Sequence, residues 1–441
     1  MKQIKKGKVY RGSPGSKRAN PWAWIPTLYF AEGIPYVAAM TISVIMYKRL
    51  EISNTDIALY TSWLYLPWVI KPFWSPFVDI IKTKRWWIVT MQLLIGAGLA
   101  GVAFLLPLPF FFQGTLAFFW LLAFSSATHD IAADGFYMLA LDSSQQSFFV
   151  GIRSTFYRLA MISGQGLLII LAGFLERTTG NIRLSWCITF FVLAGLFLVF
   201  FVYHRFVLPR PESENREGAK TAQKVMKEFG ETFASFFQKK GIVIAIAFML
   251  LYRLGEAMLV KMASPFLLDS REIGGLGLST EQVGIIYGTV GVIALTLGGI
   301  IGGIAASRRG LKFWIWIMAL CITFPHLAYL YLAWAMPVNF ILINAAVAIE
   351  QFGYGFGFTA YMLYLIYFSE GKHKTAHYAI CTGFMAQGMM LPGMIAGWLQ
   401  EMMGYFHFFV WIMIAAIPTL LVIPFLKIDK EFGKKKKELT E

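Results

Sequence analysis

Several apolar runs of this chain carry acids and bases at spacings suited to ion pairing, solute recognition or reversible protonation. In THDIAADG, Asp130 and Asp134 stand four residues apart and so share one helix face, with His129 turned away from it. FAEGIPY holds Glu32, VIKPFWSP holds Lys71, and GIRSTFYRL holds Arg153 and Arg158. YRLGEA places Arg253 three residues before Glu256, and AIEQFGYGF holds Glu350, Gln351 and Tyr354. An ionised side chain at a bilayer centre costs at least about 2.5–3.5 kcal/mol, so each needs a partner, a proton or a function. Covalent chemistry has no comparable signal. There is no G-x-S-x-G, no H-E-x-x-H and no P-loop, which argues against an enzyme and against direct coupling to ATP hydrolysis.

The elements that must position these residues are membrane spans. Of 441 residues 57% are hydrophobic and only 14% charged, too few charges for a soluble protein of this length. The apolar residues fall into blocks long enough to cross a bilayer. Twelve are expected: 22–47, 56–78, 86–106, 115–138, 148–175, 184–206, 241–268, 281–305, 311–335, 338–368, 376–402 and 405–426. Between the sixth and seventh lies a polar, Pro-initiated linker, in which KVMKEFGETFASFF has the pattern of a surface helix. The expected organisation is a basic N-tail (1–21), a six-helix bundle (22–208), the linker (209–240), a second six-helix bundle (241–426) and a basic C-tail (427–441).

If the N-terminus is cytoplasmic, cytoplasmic segments hold 29 Lys and Arg and the opposite side 5, a bias that sets both termini inside. The net charge of +15 is therefore a topology signal and a contact with anionic lipid, not a nucleic-acid surface. Cys187, Cys321 and Cys381 fall singly in apolar runs, so neither a disulfide framework nor a metal site is expected. No cleavable signal peptide is evident, since the first apolar block is too long for one. The loops SPFVDIIKTKRWW and GGIAASRRGLKFW occupy equivalent places in the two halves, the pattern of the major facilitator plan.

Counted from the span ends, Glu32, Glu256 and Glu350 lie near mid-membrane, and Asp130 and Asp134 in the cytoplasmic half. Similar depths pair Asp134 with Arg153 and Asp130 with Arg158 across the fourth and fifth spans. Such pairs serve either as latches or in function. Arg253 and Glu256 either neutralise each other or act on a solute. Gly33 and Pro35 are expected to break the first helix beside Glu32. Lys71 either takes part in the site or snorkels towards its helix end. Lys261 is expected at a vestibule or interface, and Asp79 and Arg85 in a gating latch. His326 and His377 are lone histidines to which no role is given.

These residues carry a family resemblance. ATHDIAADG, with GIP in the first span, KPFWSPFVD, YRL, YRLGEA and AGWLQE, resembles the AmpG-like muropeptide permeases, relatives of the acetyl-coenzyme A transporters, from about Phe30 to Glu401. His129 and Glu32 depart from that pattern, and Arg153 has no counterpart in it. The resemblance implies a cavity lined by spans one, four, seven and ten, a monomer, and an inner-membrane location. It implies proton-coupled import of a cell-wall-derived amino sugar or muropeptide, with no cofactor. A carrier of an anionic thioester or nucleotide such as acetyl-coenzyme A is the alternative, and a non-transporting membrane sensor is the alternative from another class.

Overall fold

The computed structural model describes residues 20–210 and 222–434; most of the basic N-tail, the end of the C-tail and the middle of the linker lie outside them. The described residues are helical, with no strand among them. In chain order the elements are α1 Pro21–Arg49, α2 Asn54–Trp63, α3 Leu66–Ile81, α4 Lys84–Leu105, α5 Phe111–Ala140, α6 Ser144–Thr179 and α7 Ile182–Val207. After the gap come α8 Ala222–Phe237, α9 Ile242–Leu268, α10 Thr280–Arg309, α11 Leu311–Ala335, α12 Phe340–Ser369 and α13 Lys374–Ala415. Among the described residues, ten stretches are long and apolar enough to cross a membrane. In hydrocarbon each backbone N–H and C=O must be paired within the segment, and a helix does this for every residue but those at its ends.

The ends are handled by side chains. Asn20 caps α1 through Trp22 N–H with Pro21 next to it, and Asn181 caps α7 through Leu184 N–H. Asp142 and Gln145 form a capping box at the start of α6, and Ser279 with Gln282 forms another at α10. The last apolar stretch runs 52 residues, Lys374–Phe425, but Gly404 sits inside it at φ 75° and ψ 166°. The chain turns there, between the two spans expected at its ends. The amphipathic linker run is helical as expected, in α8.

The irregular turns fall near the acids. The first helix does not break at Gly33 and Pro35, as the sequence led us to expect. It continues to Val37 and then widens into a π-turn at Ala38–Ile42. Gly33 serves a close approach instead: a Cβ there would stand 2.8 Å from the Cβ of Ala160 on α6. α9 is interrupted at Tyr252 and Arg253, one turn before Glu256.

One face of the bundle carries Pro21, the ends of α3 and α7, α8 and residues 425–434; we call it the terminal face. Phe73 of α3 meets Phe233 of α8 there, and Tyr367 meets Phe432. Packing differs between this face and the far one. In the far half, a single apolar core mixes residues from before and after the linker, such as Ile45, Ile57 and Leu99 with Met262, Ile286 and Met389. In the terminal half the core divides in two, one built around Trp24, Phe136 and Tyr137, the other around Phe248, Tyr361 and Leu365.

Polar bonds seal the far face. Lys48 pairs with Asp269 at 2.6 Å, and Asn54 donates to Gln400 at 2.6 Å and to the Tyr405 hydroxyl at 3.0 Å. The Tyr405 hydroxyl in turn donates to Asp269 at 2.5 Å. A second seam joins α6 to α10: Thr280 donates to Glu176 at 2.8 Å, Glu176 also holds Arg49 at 3.1 Å, and Arg177 lies 3.6 Å from Glu281. Glycine permits this seam, because a Cβ on Gly288 would run into the backbone of Gln165 and Gly166.

Candidate functional site

The structure sorts the expected site residues into two clusters, one on each side of the linker in sequence. The first is built from α1, α3, α5 and α6. Asp130 does not pair with Arg158. Its carboxylate takes the indole N–H of Trp68 at 3.0 Å and lies 3.6 Å from the Lys71 ammonium. Arg158 is exposed instead. Depth along neighbouring helices was a sound guide to height and a poor one to direction, because α3 lies beside α5 and offers the nearer cation. The Asp134–Arg153 pair does form, at 3.0 Å. Arg153 also donates to the Tyr29 hydroxyl at 3.1 Å, and its guanidinium lies over the rings of Tyr29 and Tyr137 at 4.7 and 5.1 Å.

Glu32 joins this cluster rather than the acids of its own depth. Its charged neighbours are Asp130, Asp134, Lys71 and Arg153, and its buried Oε2 has no hydrogen-bond partner. Three acids thus stand with two bases. The Asp134 side chain is 43% exposed, on a helix apolar enough to cross a membrane, and Lys71 is 27% exposed. The exposed side chains of this cluster lie in the half where the core is divided.

The second cluster comes from α9, α11 and α12 and is closed off. Arg253 and Glu256 do not form an ion pair. The break in α9 turns Arg253 to the Tyr354 hydroxyl, to which it donates, and over the rings of Tyr354 and Phe358 at 5.1 and 4.8 Å. Glu256 meets His326 at 2.9 Å, and Gln351 donates to Glu350 at 2.9 Å. Glu256, His326 and Glu350 offer atoms all within 4.8 Å of one another, and all three residues are buried. Three atoms of this group, Glu256 Oε1, Glu350 Oε1 and His326 Nδ1, lack any hydrogen-bond partner.

Other residues take supporting places. Lys261 sits at an interface, as expected, donating to Thr61 of α2 at 2.9 Å. Arg85 donates to the carbonyls of Leu208 and Arg205, which staples α4 to the end of α7. The Asp79 side chain lies outside the described residues. His129 points away from the first cluster, as its position beside Asp130 requires. It meets Gln92 at 3.1 Å, and Gln92 reaches His204, which in turn reaches Thr27. His377 meets Ser235 of α8 at 3.0 Å. Sequence reasoning missed His326, Trp68 and Tyr29 as members of the site. Their partners lie 70, 62 and 124 residues away, so local spacing carries no sign of them.

Comparison with known proteins agrees with this architecture. The family model described as Major Facilitator Superfamily matches residues 27–387. "Putative transporter AmpG 4" of Rickettsia conorii is 28% identical over 413 residues, covering 90% of this chain and 94% of that protein. The anhydromuropeptide permease of Escherichia coli K12 is 25% identical over 407 residues, covering 90% of this chain and 77% of that protein. Among solved structures, a D-xylose–proton symporter superposes with a TM-score of 0.69 at 14% identity, over 94% of this chain and 99% of that one. At that identity the likeness speaks for the fold alone.

Proposed function

The chain belongs to the Major Facilitator Superfamily, and from that premise we propose that it is a proton-coupled importer of an anhydro-muropeptide or a related cell-wall amino sugar. The observation that carries the reading is the asymmetry of the bundle. Charged groups of the first cluster are partly exposed in the half whose core is divided, while paired residues and a common core seal the far face. Such an arrangement is one state of an alternating-access carrier. In this reading the broken stretch Lys374–Phe425 counts as two spans and α2 with α3 as one, giving twelve as two sets of six. Both termini face the cytoplasm, in the inner membrane, and the protein works as a monomer with anionic lipid at its basic tails.

The first cluster suits an amino-sugar solute. Lys71 and Arg153 can exchange their carboxylate partners for a lactyl or peptide carboxylate, and Arg does so in a forked geometry. Trp68 offers a flat face to a sugar ring, while Asp130, Asp134 and Glu32 can accept its N–H and O–H groups. Relatives named for muropeptides support the cargo. An acetyl-coenzyme A carrier would need several uncommitted cations for the phosphates. Here Lys71 and Arg153 already hold carboxylates, which favours the muropeptide.

Calorimetric titration of the purified protein with an anhydro-muropeptide and with acetyl-coenzyme A tests the cargo. The reading predicts saturable binding of the first only, weakened about tenfold or more in Asp130→Asn, the scale of losing a hydrogen bond to a charged group. Binding of acetyl-coenzyme A alone would replace the cargo, and binding of neither would remove it.

A further inference from the structure

We propose that Glu256, His326 and Glu350 together hold the exchangeable proton of this protein, separate from the cluster around Asp130 that meets the solute. The consequence for transport rests on the coupled-import reading above; the site itself rests on geometry. Two carboxylates and an imidazole stand within 4.8 Å of one another with their side chains almost wholly buried. Among the described residues no Lys or Arg forms an ion pair with either acid, since Arg253 is turned to Tyr354 and Phe358. Two ionised carboxylates here would face one nearby cation, Arg253, which forms no ion pair with either, and would leave at least one negative charge uncompensated, at a cost of several kcal/mol. Like charges this close do not both persist, and a shared proton is the smallest offset.

The hydrogen bonds also suit a proton that moves. One oxygen of each acid is engaged, Glu256 by His326 and Glu350 by Gln351, and the other oxygen of each is buried and unpartnered. His326 Nδ1 is unpartnered as well. An imidazole between two acids can take a proton on one nitrogen and release it from the other.

The ionisable groups around the cluster come from every neighbouring helix. They are Arg253 on α9, Tyr287 on α10, Tyr329 on α11 and Tyr354 on α12. The stretch of α13 that runs along α9 here, residues 388–393, contains no ionisable residue. No cation other than Arg253 is thus at hand to take the place of the proton.

The test needs no solute at first. Infrared difference spectra of the purified full-length protein are recorded on acidification. A protonated-carboxyl band is expected, lost in Glu256→Gln and in Glu350→Gln, shifted in His326→Gln, and unchanged in Asp130→Asn. A band that survives in all three cluster variants would overturn the proposal, as would a band displaced by sodium or a divalent cation. Transport of labelled anhydro-muropeptide in proteoliposomes then separates the two readings. The variants should keep solute counterflow, which also shows that they fold, and lose the response to a gradient of one pH unit, worth about tenfold accumulation per proton. Loss of counterflow together with driven uptake in His326→Gln would overturn the division of labour. If the band behaves as expected but wild-type uptake ignores the gradient, the proton site stands and the coupled-import reading falls.

Discussion

Lys71 and Asp130 meet at 3.6 Å from two helices that no local spacing rule connects. Lys71→Ala would leave Asp130 with only the Trp68 indole, and we expect a loss of about 1–3 kcal/mol in stability, the cost of an under-satisfied charged group. The Lys71→Ala, Asp130→Ala double variant should recover part of that stability while remaining inactive; thermal unfolding in detergent and uptake measure the two effects. Arg153 and Asp134 should behave differently. Both are partly exposed, so a double-mutant cycle on stability should give a coupling of about 1 kcal/mol or less. If Arg153→Ala nonetheless abolishes uptake, its role lies in the solute or in holding Tyr29. A coupling of several kcal/mol would instead make it a structural strut. At this scale the sequence was informative about residue type and height. Asp130, Asp134, Glu256 and Glu350 could be singled out because charge in an apolar run is costly, and so could Arg153 as the partner of Asp134, but the partners of Asp130 and Glu256 could not. Lys71 and His326 come from other helices and face inward, and one-dimensional spacing has no term for that.

Most of the helices were legible nearly to their ends, but the second expected span, 56–78, is two helices, α2 and α3, parted at Leu64 and Tyr65. Twenty-residue apolar blocks have few alternatives in lipid, and the caps at Asn181, Ser279 and Asn339 are ordinary helix starts. The π-turn at Ala38–Ile42 and the interruption at Tyr252–Arg253 were less so, because both answer to packing against other helices rather than to a local residue signal. The seam between α6 and α10 makes a prediction at this scale. Gly288 abuts the Gln165 and Gly166 backbone, so Gly288→Val should force the far ends of these helices apart. A cysteine in place of Ser62, fully buried between α2 and Gly393 of α13, reports on this in a background lacking Cys187, Cys321 and Cys381. Its alkylation should speed up in Gly288→Val. An unchanged rate would mean that the seam does not govern closure of the far face.

For the whole molecule, the common core of the far half and the divided core of the terminal half define one conformation. Nothing in composition or periodicity distinguishes this state from its opposite, since the same helices serve both and only contacts across the bundle differ. The latch around Asp269 is the part most open to test. Its carboxylate holds Lys48, Asn54 and the Tyr405 hydroxyl at once. Removing one partner of a buried charged pair costs about 3–5 kcal/mol, so Asp269→Ala should shift the population strongly towards a far-open state. The cysteine at Ser62 should then react at least about tenfold faster, and a rate within twofold of the parent would mean that the latch contributes little.

In the proposed reading a proton gradient drives a cell-wall amino sugar through this bundle. The measurement that tests it most directly is uptake of labelled anhydro-muropeptide into proteoliposomes, with and without an imposed inward proton gradient. The account predicts saturable uptake that the gradient raises above the equilibrium level and that a protonophore returns to it. Accumulation that is identical with and without the gradient, in protein that binds the solute, would contradict it.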